Sequence, residues 1–503
     1  MASKEKKEKK LLKKKDNNQE KKGLFKIKLK KKKDDDIEVL DMEEKKITPK
    51  KEKKGKNRYV FGPIEFSFNF ISLVFVICVG LYFGGRSFYY YSLQSKHSKE
   101  TADTVNGLVL SHNQLAKDTA EGLHQDEDGY YFRGNIQNNY VWFANRMFRI
   151  MRVNTDGSVK LVSNDLVSSF MWGEKEDYDN SNVRVWLTPV DDIDVSGVYY
   201  KTIPAPGRFV VDTSYTVDKL QENSVEYGET EFKDKVVSLS LNDYINAGGK
   251  NSYLNNGKLY FILGYNQENS NLYIEEDGSI VECSSLDGYG VRAVITLSKN
   301  VPVSHGSGTE KDPYVVDQGN DYNYVDSYVK LGNDVWKVYG EDEETIKMYL
   351  NGYITFDGNE VTRNYSNYGN RFDYYSGDNI GYFLMNDYLN SLSYKDILID
   401  NSYPYGEMSA ETGYSFPNVY STTYFGKMAL LNIFDYVSNN ELSDFFRCNT
   451  GAQMSTTQYA VLSNGLLEEA EVTDVKHIVP GVSINKSSIK KGSGRIDDPY
   501  VVE

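Results

Sequence analysis

The longest unbroken apolar stretch runs from Phe66 to Gly85, twenty residues without a charge, FSFNFISLVFVICVGLYFGG. A helix of that length rises roughly 30 Å, the hydrocarbon thickness of a bilayer. The pattern therefore predicts one transmembrane helix over 66–85, with Tyr59, Phe61, Tyr82 and Tyr89–Tyr91 placed as interfacial aromatics. Before it, residues 1–65 alternate lysine and acidic blocks with little to bury, which predicts a disordered tail. After it, residues 86–122 are polar with sparse apolar positions and read as a helical stalk. From residue 123 onward, short β-branched and aromatic runs alternate with Gly, Asn and Asp turns, the texture of strands. Residues 128–162 hold strands around a Thr155-Asp156-Gly157 turn, and a second hairpin turns at Asp277-Gly278. Residues 236–249 read as a strand followed by a short helix ending at Gly248-Gly249. Residues 291–297, VRAVITL, read as a buried strand.

The outer region is a duplication. Gly306-Ser307-Gly308-Thr309-Glu310-Lys311-Asp312-Pro313-Tyr314-Val315-Val316 recurs 186 residues later as residues 492–502, with eight of eleven positions identical. Upstream, Tyr140, Asn145, Phe148 and Arg149 align with Tyr328, Asn333, Trp336 and Lys337. Asp243-Tyr244-Ile245 aligns with Asp435-Tyr436-Val437, and Tyr273 and Gly278 with Tyr459 and Gly465. Two homologous domains follow, 123–317 and 322–503, each long enough for its own core. The expected class is α+β: one transmembrane helix plus two tandem, mainly antiparallel-β domains with short helices. The Gly-Ser-Gly, Asp-Pro and Tyr-Val-Val of the repeated segment predict a tight reversal, a turn and a closing strand. A phosphate-cradling loop would instead have to open a helix.

Charge divides the chain. Residues 1–58 carry 24 basic and 12 acidic residues, while 86–503 carry 34 basic against 59 acidic. Lysines crowd the N-terminal side of the apolar run, so the positive-inside rule places the tail in the cytoplasm and the repeats outside, on a cell membrane. The tail's expected partners are the bilayer and, through its lysines, anionic lipid; no nucleic-acid signature accompanies them. Three cysteines, Cys78, Cys283 and Cys448, exclude a disulfide framework while allowing one bond between the last two.

The segments DGYYFRGNIQNNYVWFANRMFRIMRVNTDGSVKLV (128–162), NVRVWL (182–187), LSLNDY (239–244), YGVRAVITL (289–297) and GSGTEKDPYVV (306–316) carry a resemblance. Together they resemble an uncharacterised duplicated surface domain of low-G+C Gram-positive bacteria and their wall-less relatives. That resemblance implies a cell-surface location and no assigned reaction. The pattern around Tyr289-Gly290-Val291-Arg292 is similar to C-type-lectin-like and formylglycine-generating-enzyme-like domains, which implies fold only. The second copy departs from the first: Val479 stands where Arg292 does, and Trp142 and Trp186 lie opposite Lys330 and roughly Tyr388. An arginine beside a core strand is expected to pair with a structural carboxylate.

Candidate chemistry is thin. His97, His112, His124, His305 and His477 fall in no metal-ligand spacing. No nucleophile elbow, phosphate loop or Ser-x-x-Lys occurs, and Asp126-Glu127-Asp128-Gly129 reads as a turn rather than a calcium loop. The sequence thus predicts no catalytic residue, no cofactor and no metal. It points to a membrane-anchored surface protein whose tandem domains bind an extracellular glycan or protein, for adhesion or envelope attachment. An envelope polysaccharide hydrolase with a hidden carboxylate pair is the alternative, and a sensor or scaffold signalling to the tail is a third.

Overall fold

The computed structural model describes residues 58–61, 64–67, 72–82 and 103–502, the last with interruptions at 174–176, 192, 194–195, 223, 370, 407–419, 433–434, 439–441, 448–456 and 462–465. The chain divides into two compact units, 1–79 and 80–503. The basic tail up to residue 57, with its expected disorder and lipid contact, lies outside the described residues.

In the first unit, Arg58–Phe61 and Ile64–Ser67 pair antiparallel, with Phe66 opposite Tyr59 and Ser67 opposite Arg58. A helix covers residues 72–82. This corrects the membrane assignment. Phe66 and Ser67, the first residues of the expected span, are committed to a strand. The eleven helical residues rise about 16 Å. Among the described residues no helix is long and apolar enough to cross a membrane. The physical reason is composition: Phe, Val and Ile dominate this run and favour extended as readily as helical backbone. The remainder of the expected span, 68–71 and 83–85, lies outside the described residues.

The fold class needs the same correction. Among the described residues the protein is mostly β, 39% strand against 16% helix, rather than α+β. Its helices are connections: among the described residues of the second unit the longest purely α-helical one, Val105–His112, has eight residues, and a mixed α and π run, 380–391, has twelve. That helix packs Val105, Val109 and Leu110 into the core, and the Val105 N–H bonds to the Val301 carbonyl at 3.0 Å. The later part of the expected stalk is therefore integral to the first repeat.

The duplication survives as two sheets with one topology. In the first repeat the strands lie in the order Val236–Ser238, Ala293–Leu297, Val159–Ser163, Arg146–Asn154, Tyr140–Phe143, Tyr314–Val316, Val303–His305. In the second they are Met428–Leu430, Pro480–Asn485, Thr345–Leu350, Asp334–Glu341, Tyr328–Leu331, Tyr500–Val502, Ile489–Lys491. Register carries the equivalence residue by residue. Tyr140 faces Arg149 as Tyr328 faces Lys337. Val294 faces Val162 as Gly481 faces Tyr349. Even the bulge recurs, at Met151 and at Tyr339. One alignment changes: Tyr273 faces Phe261, whereas Tyr459 faces Arg447, so the counterpart of Tyr273 is Ala460, which faces Phe446. A shift of one residue puts a side chain on the opposite face of its sheet.

The repeated segment closes each sheet. Tyr314 and Tyr500 add a parallel strand beside Val141 and Val329. Gly306 and Gly492 adopt φ of 123° and 108°, and a Cβ at either would collide with the carbonyl of Pro313 or Pro499. The Gly308 and Gly494 carbonyls accept the Tyr140 and Tyr328 N–H groups, each at 2.8 Å. No helix follows the glycines, only the turn and final strand.

The repeats are fused rather than strung. A third, twelve-stranded sheet takes strands from both, joined where Gly288 pairs with Leu467. A Cβ at Gly288 would strike the Leu467 carbonyl, so glycine is what permits this approach. The main hydrophobic core accordingly includes Tyr349, Leu431, Tyr436, Phe445 and Val479 of the second repeat with the first. A smaller core belongs to the second repeat alone.

Candidate functional site

The strand Gly288–Val291 and its counterpart Val475–His477 occupy the same place in the two repeats. Gly290 and His477 each donate their N–H to an equivalent carbonyl, of Leu259 at 3.0 Å and of Asp444 at 2.9 Å. Around that shared backbone the side chains differ. In the first repeat Tyr289 stacks on Tyr273, centroids 4.1 Å apart and planes at 9°, with Phe261 edge-on at 5.3 Å. The Tyr273 hydroxyl donates to Glu275 at 3.0 Å. Gly290 lies against Leu166.

In the second repeat the corresponding residues are ionisable. His477 stacks on Tyr353, the counterpart of Leu166, at 4.2 Å and 23°. Its Nε2 lies 3.2 Å from Glu360 Oε2, and its Nδ1 lies 3.8 Å from Asp444 Oδ2. Lys476 Nζ pairs with the other Asp444 oxygen at 2.7 Å. Tyr353 is held by a reciprocal pair of hydrogen bonds with the Ser443 backbone, both 2.8 Å.

Two insertions flank this cluster. The Val167 and Ile354 N–H groups bond to the equivalent carbonyls of Val291 and Ile478, at 2.8 and 3.2 Å. Between Ile354 and the strand Thr362–Asn364 the second repeat inserts a hairpin, Thr355–Phe356 paired with Asn359–Glu360, turning at Asp357-Gly358. Next, the Asn182 N–H bonds to Trp172 O as the Ile380 N–H bonds to Tyr365 O, at 2.7 and 2.8 Å. The loop from 365 to 380 is thus five residues longer than that from 172 to 182. The equivalence also places Leu384, rather than Tyr388, opposite Trp186.

The longer loop is tied internally. Asn379 caps the following helix and donates to Arg371 O at 2.8 Å, and its side-chain oxygen accepts the Asp373 N–H at 3.0 Å. Hydrogen bonds from Ser376 and from Asn367 hold the Asp378 carboxyl below its ordinary range. Ser376 and Asp378 lie on the arm that carries Tyr375, and the Ser366 hydroxyl bonds the Tyr368 N–H and carbonyl, each at 3.1 Å, on the other. Tyr368 is 87% exposed and Tyr375 91%. Beside them in sequence, Phe372 and Tyr374 pack edge-on against Tyr424 at 4.7 and 4.0 Å.

The residues singled out in the sequence fall elsewhere. Arg292 is fully buried, but its partners are the carbonyls of Ser163 and Leu254, and its guanidinium lies 5.2 Å from the Tyr260 ring. The expected carboxylate is replaced by backbone oxygens, one at the end of the strand Val159–Ser163 and one in the turn at Leu254, whose carbonyl also accepts from the Tyr260 hydroxyl at 2.9 Å. Asp126 is engaged by Arg152 through two 2.7 Å bonds. Burial pushes the Cys283 thiol up to about 12, so it is protonated at neutral pH; Cys448 and Gly465 lie outside the described residues. His112 bonds the Tyr314 hydroxyl at 3.0 Å and His124 the Ala120 carbonyl at 2.7 Å. Among the described residues no group of three His, Cys, Asp or Glu side chains is disposed to hold a metal.

A buried charge cluster joins the repeats. Asp326 accepts from Arg146 of the first repeat and from Tyr436 and Ser438 of the second, with Lys337 Nζ at 3.3 Å. The Arg146 guanidinium sits 4.9 and 4.5 Å from the Tyr199 and Tyr436 rings. Burial alone would raise the Asp326 carboxyl, but Arg146 and Lys337 outweigh it and hold the group low.

Fold and site together define a class: a fused tandem-repeat β protein whose second repeat carries the variable, solvent-facing insertions. No family model, curated protein or solved structure matches the chain. The insertions were within reach of the sequence once the repeats were aligned, since Asp357-Gly358 is a hairpin signal lacking any counterpart. No local pattern marks His477, because Glu360 and Asp444 are distant from it in sequence.

Proposed function

We propose that the protein is a ligand-binding protein in which the fused repeats form one recognition body, and that its ligand is a glycan. The observation that carries this reading is the pair Tyr368 and Tyr375, almost fully exposed on an internally bonded loop five residues longer than its counterpart in the first repeat. A ring exposed to water on a rigid loop offers flat contact area to a sugar face at low entropic cost. Asn, Asp and Ser side chains in the same loop suit the hydroxyl groups of such a ligand. Display at a bacterial cell surface, as the family resemblance implies, completes the proposal.

The test is binding of the full chain to immobilised host glycans and wall polymers, with Tyr368→Ala and Tyr375→Ala alongside. Each variant is expected to lose about tenfold in affinity, the scale of a modest hot spot. Undiminished binding by the double variant removes the loop from the site. Absence of binding by the unaltered chain to every polymer removes the glycan reading. Protease added to intact cells checks the location: cleavage within 103–502 supports display outside, and protection contradicts it.

A further inference from the structure

The hairpin Thr355–Glu360 and the histidine it touches are both absent from the first repeat, where Gly290 stands in place of His477 and the chain runs directly from Val167 into its strand. His477 faces a carboxylate on each side. Glu360, on the inserted hairpin, meets Nε2 at 3.2 Å, and Asp444, ahead of the strand Phe445–Arg447, stands 3.8 Å from Nδ1. Nδ1 is buried and lacks a hydrogen-bond partner. A neutral imidazole that donates from Nε2 to Glu360 must present its Nδ1 lone pair to Asp444, a repulsive arrangement at that distance. A second proton on the ring converts the repulsion into an ion pair with Asp444 and strengthens the bond to Glu360. We infer that His477 is a proton-operated latch, which fastens the inserted hairpin to the sheet when the imidazole is charged and loosens it when neutral.

The remaining charged and titratable neighbours fit that role. Lys476, on the same strand, is bonded to Asp444 at 2.7 Å and neutralises part of its charge without reaching Glu360. Tyr353 stacks beneath the ring, and its hydroxyl is occupied by Ser443. Arg363, the cross-strand partner of Lys476, sits over the Phe383 ring at 4.6 Å. The hairpin's other attachment is apolar, Phe356 against Phe383 and Tyr388 at 6.2 and 6.1 Å. Histidine ordinarily changes charge between about pH 5 and 8, and Asp and Glu near pH 4. By linkage, the closed form binds the extra proton, so acidification favours closure.

Amide hydrogen exchange of the full chain, corrected for intrinsic rates, tests this independently of any ligand. Protection of Thr355–Glu360 relative to the strand Asp334–Glu341 is expected to rise about two- to fivefold between about pH 7.5 and 5.5, the scale of an ion pair with half-exposed carboxylates. His477→Gln, which retains a donor for Glu360 but takes no proton, and Glu360→Gln are each expected to show a flat profile. Protection in Asp334–Glu341 reports whether each variant is folded, and two variants guard against one failing. A flat profile in the unaltered chain, or an unchanged rise in either folded variant, overturns the inference.

Discussion

The two repeats share a sheet, a bulge and a closing element, yet face solvent with different chemistry. In the first repeat the strand Gly288–Val291 presents Tyr289 stacked on Tyr273, and the connections beside it are short. In the second the same backbone presents His477 between two carboxylates, a six-residue hairpin and a longer loop bearing Tyr368 and Tyr375. The hydrogen bonds that define the scaffold are backbone bonds, indifferent to side chains, so they persist through divergence. The exposed connections carry little of the folding energy and are free to lengthen. The first repeat therefore shares its core with its partner, while the second carries the variable surface.

The largest effect that would break this comparison is at the inter-repeat charge cluster. Asp326→Ala leaves Arg146 and Lys337 buried without their carboxylate and is expected to destabilise the protein by about 3–5 kcal/mol. Urea unfolding, expected as one transition in the unaltered second unit because the repeats share a core, should then separate into two. The same contact gives a pH sign. Because the native Asp326 carboxyl is held low, its contribution is fully present above the unfolded carboxylate range and is lost as pH falls through the depressed native value. The clasp thus weakens in acid, opposite in sense to the His477 latch.

Arg292→Met comes next. It removes the guanidinium donors from the Ser163 carbonyl, at about 1–3 kcal/mol, while the Leu254 carbonyl keeps the Tyr260 hydroxyl. Val479→Arg in the second repeat has no matching acceptor set to restore and is expected to destabilise rather than recreate the first-repeat site, as thermal unfolding would show. Gly306→Ala and Gly492→Ala sharpen the likeness instead. Both residues have positive φ and a carbonyl in the path of a Cβ, so each should cost about 1–3 kcal/mol, and by similar amounts. Unequal costs would show that the closing elements are alike only in sequence. Smallest is Tyr375→Ala, expected to change stability by less than about 0.5 kcal/mol while weakening ligand binding. A larger loss of stability would make the loop structural rather than a recognition surface.

Much of the sheet architecture was legible from residue pattern. Turns at Asp156-Gly157 and Asp277-Gly278 and the short helix Leu241–Asn246 before Gly248 stand where local chemistry placed them, whereas the strand expected over 291–297 breaks at Arg292 into Gly288–Val291 and Ala293–Leu297, in different sheets. The reason is that turn glycines and alternating apolar positions act within a few residues. The apolar run at 66–85 misled because hydrophobicity specifies burial, not backbone state, and Phe66 and Ser67 found strand partners in Tyr59 and Arg58. The partner of Arg292 was illegible for a different reason. A buried guanidinium accepts any oxygen in reach, and the carbonyls of Ser163 and Leu254 carry no signature in the sequence.

The sequence by itself determined the duplication, the boundaries of its repeated closing element and the local turns, since each is written in contiguous residues. Tertiary structure alone decided that the two copies share a core, that Arg146 meets Asp326 across 180 positions, and that His477 stands between Glu360 and Asp444. Those contacts depend on strand order and on glycine at 288 admitting a second chain segment. They join residues far apart along the chain, and no local pattern encodes which distant side chain closes such a contact.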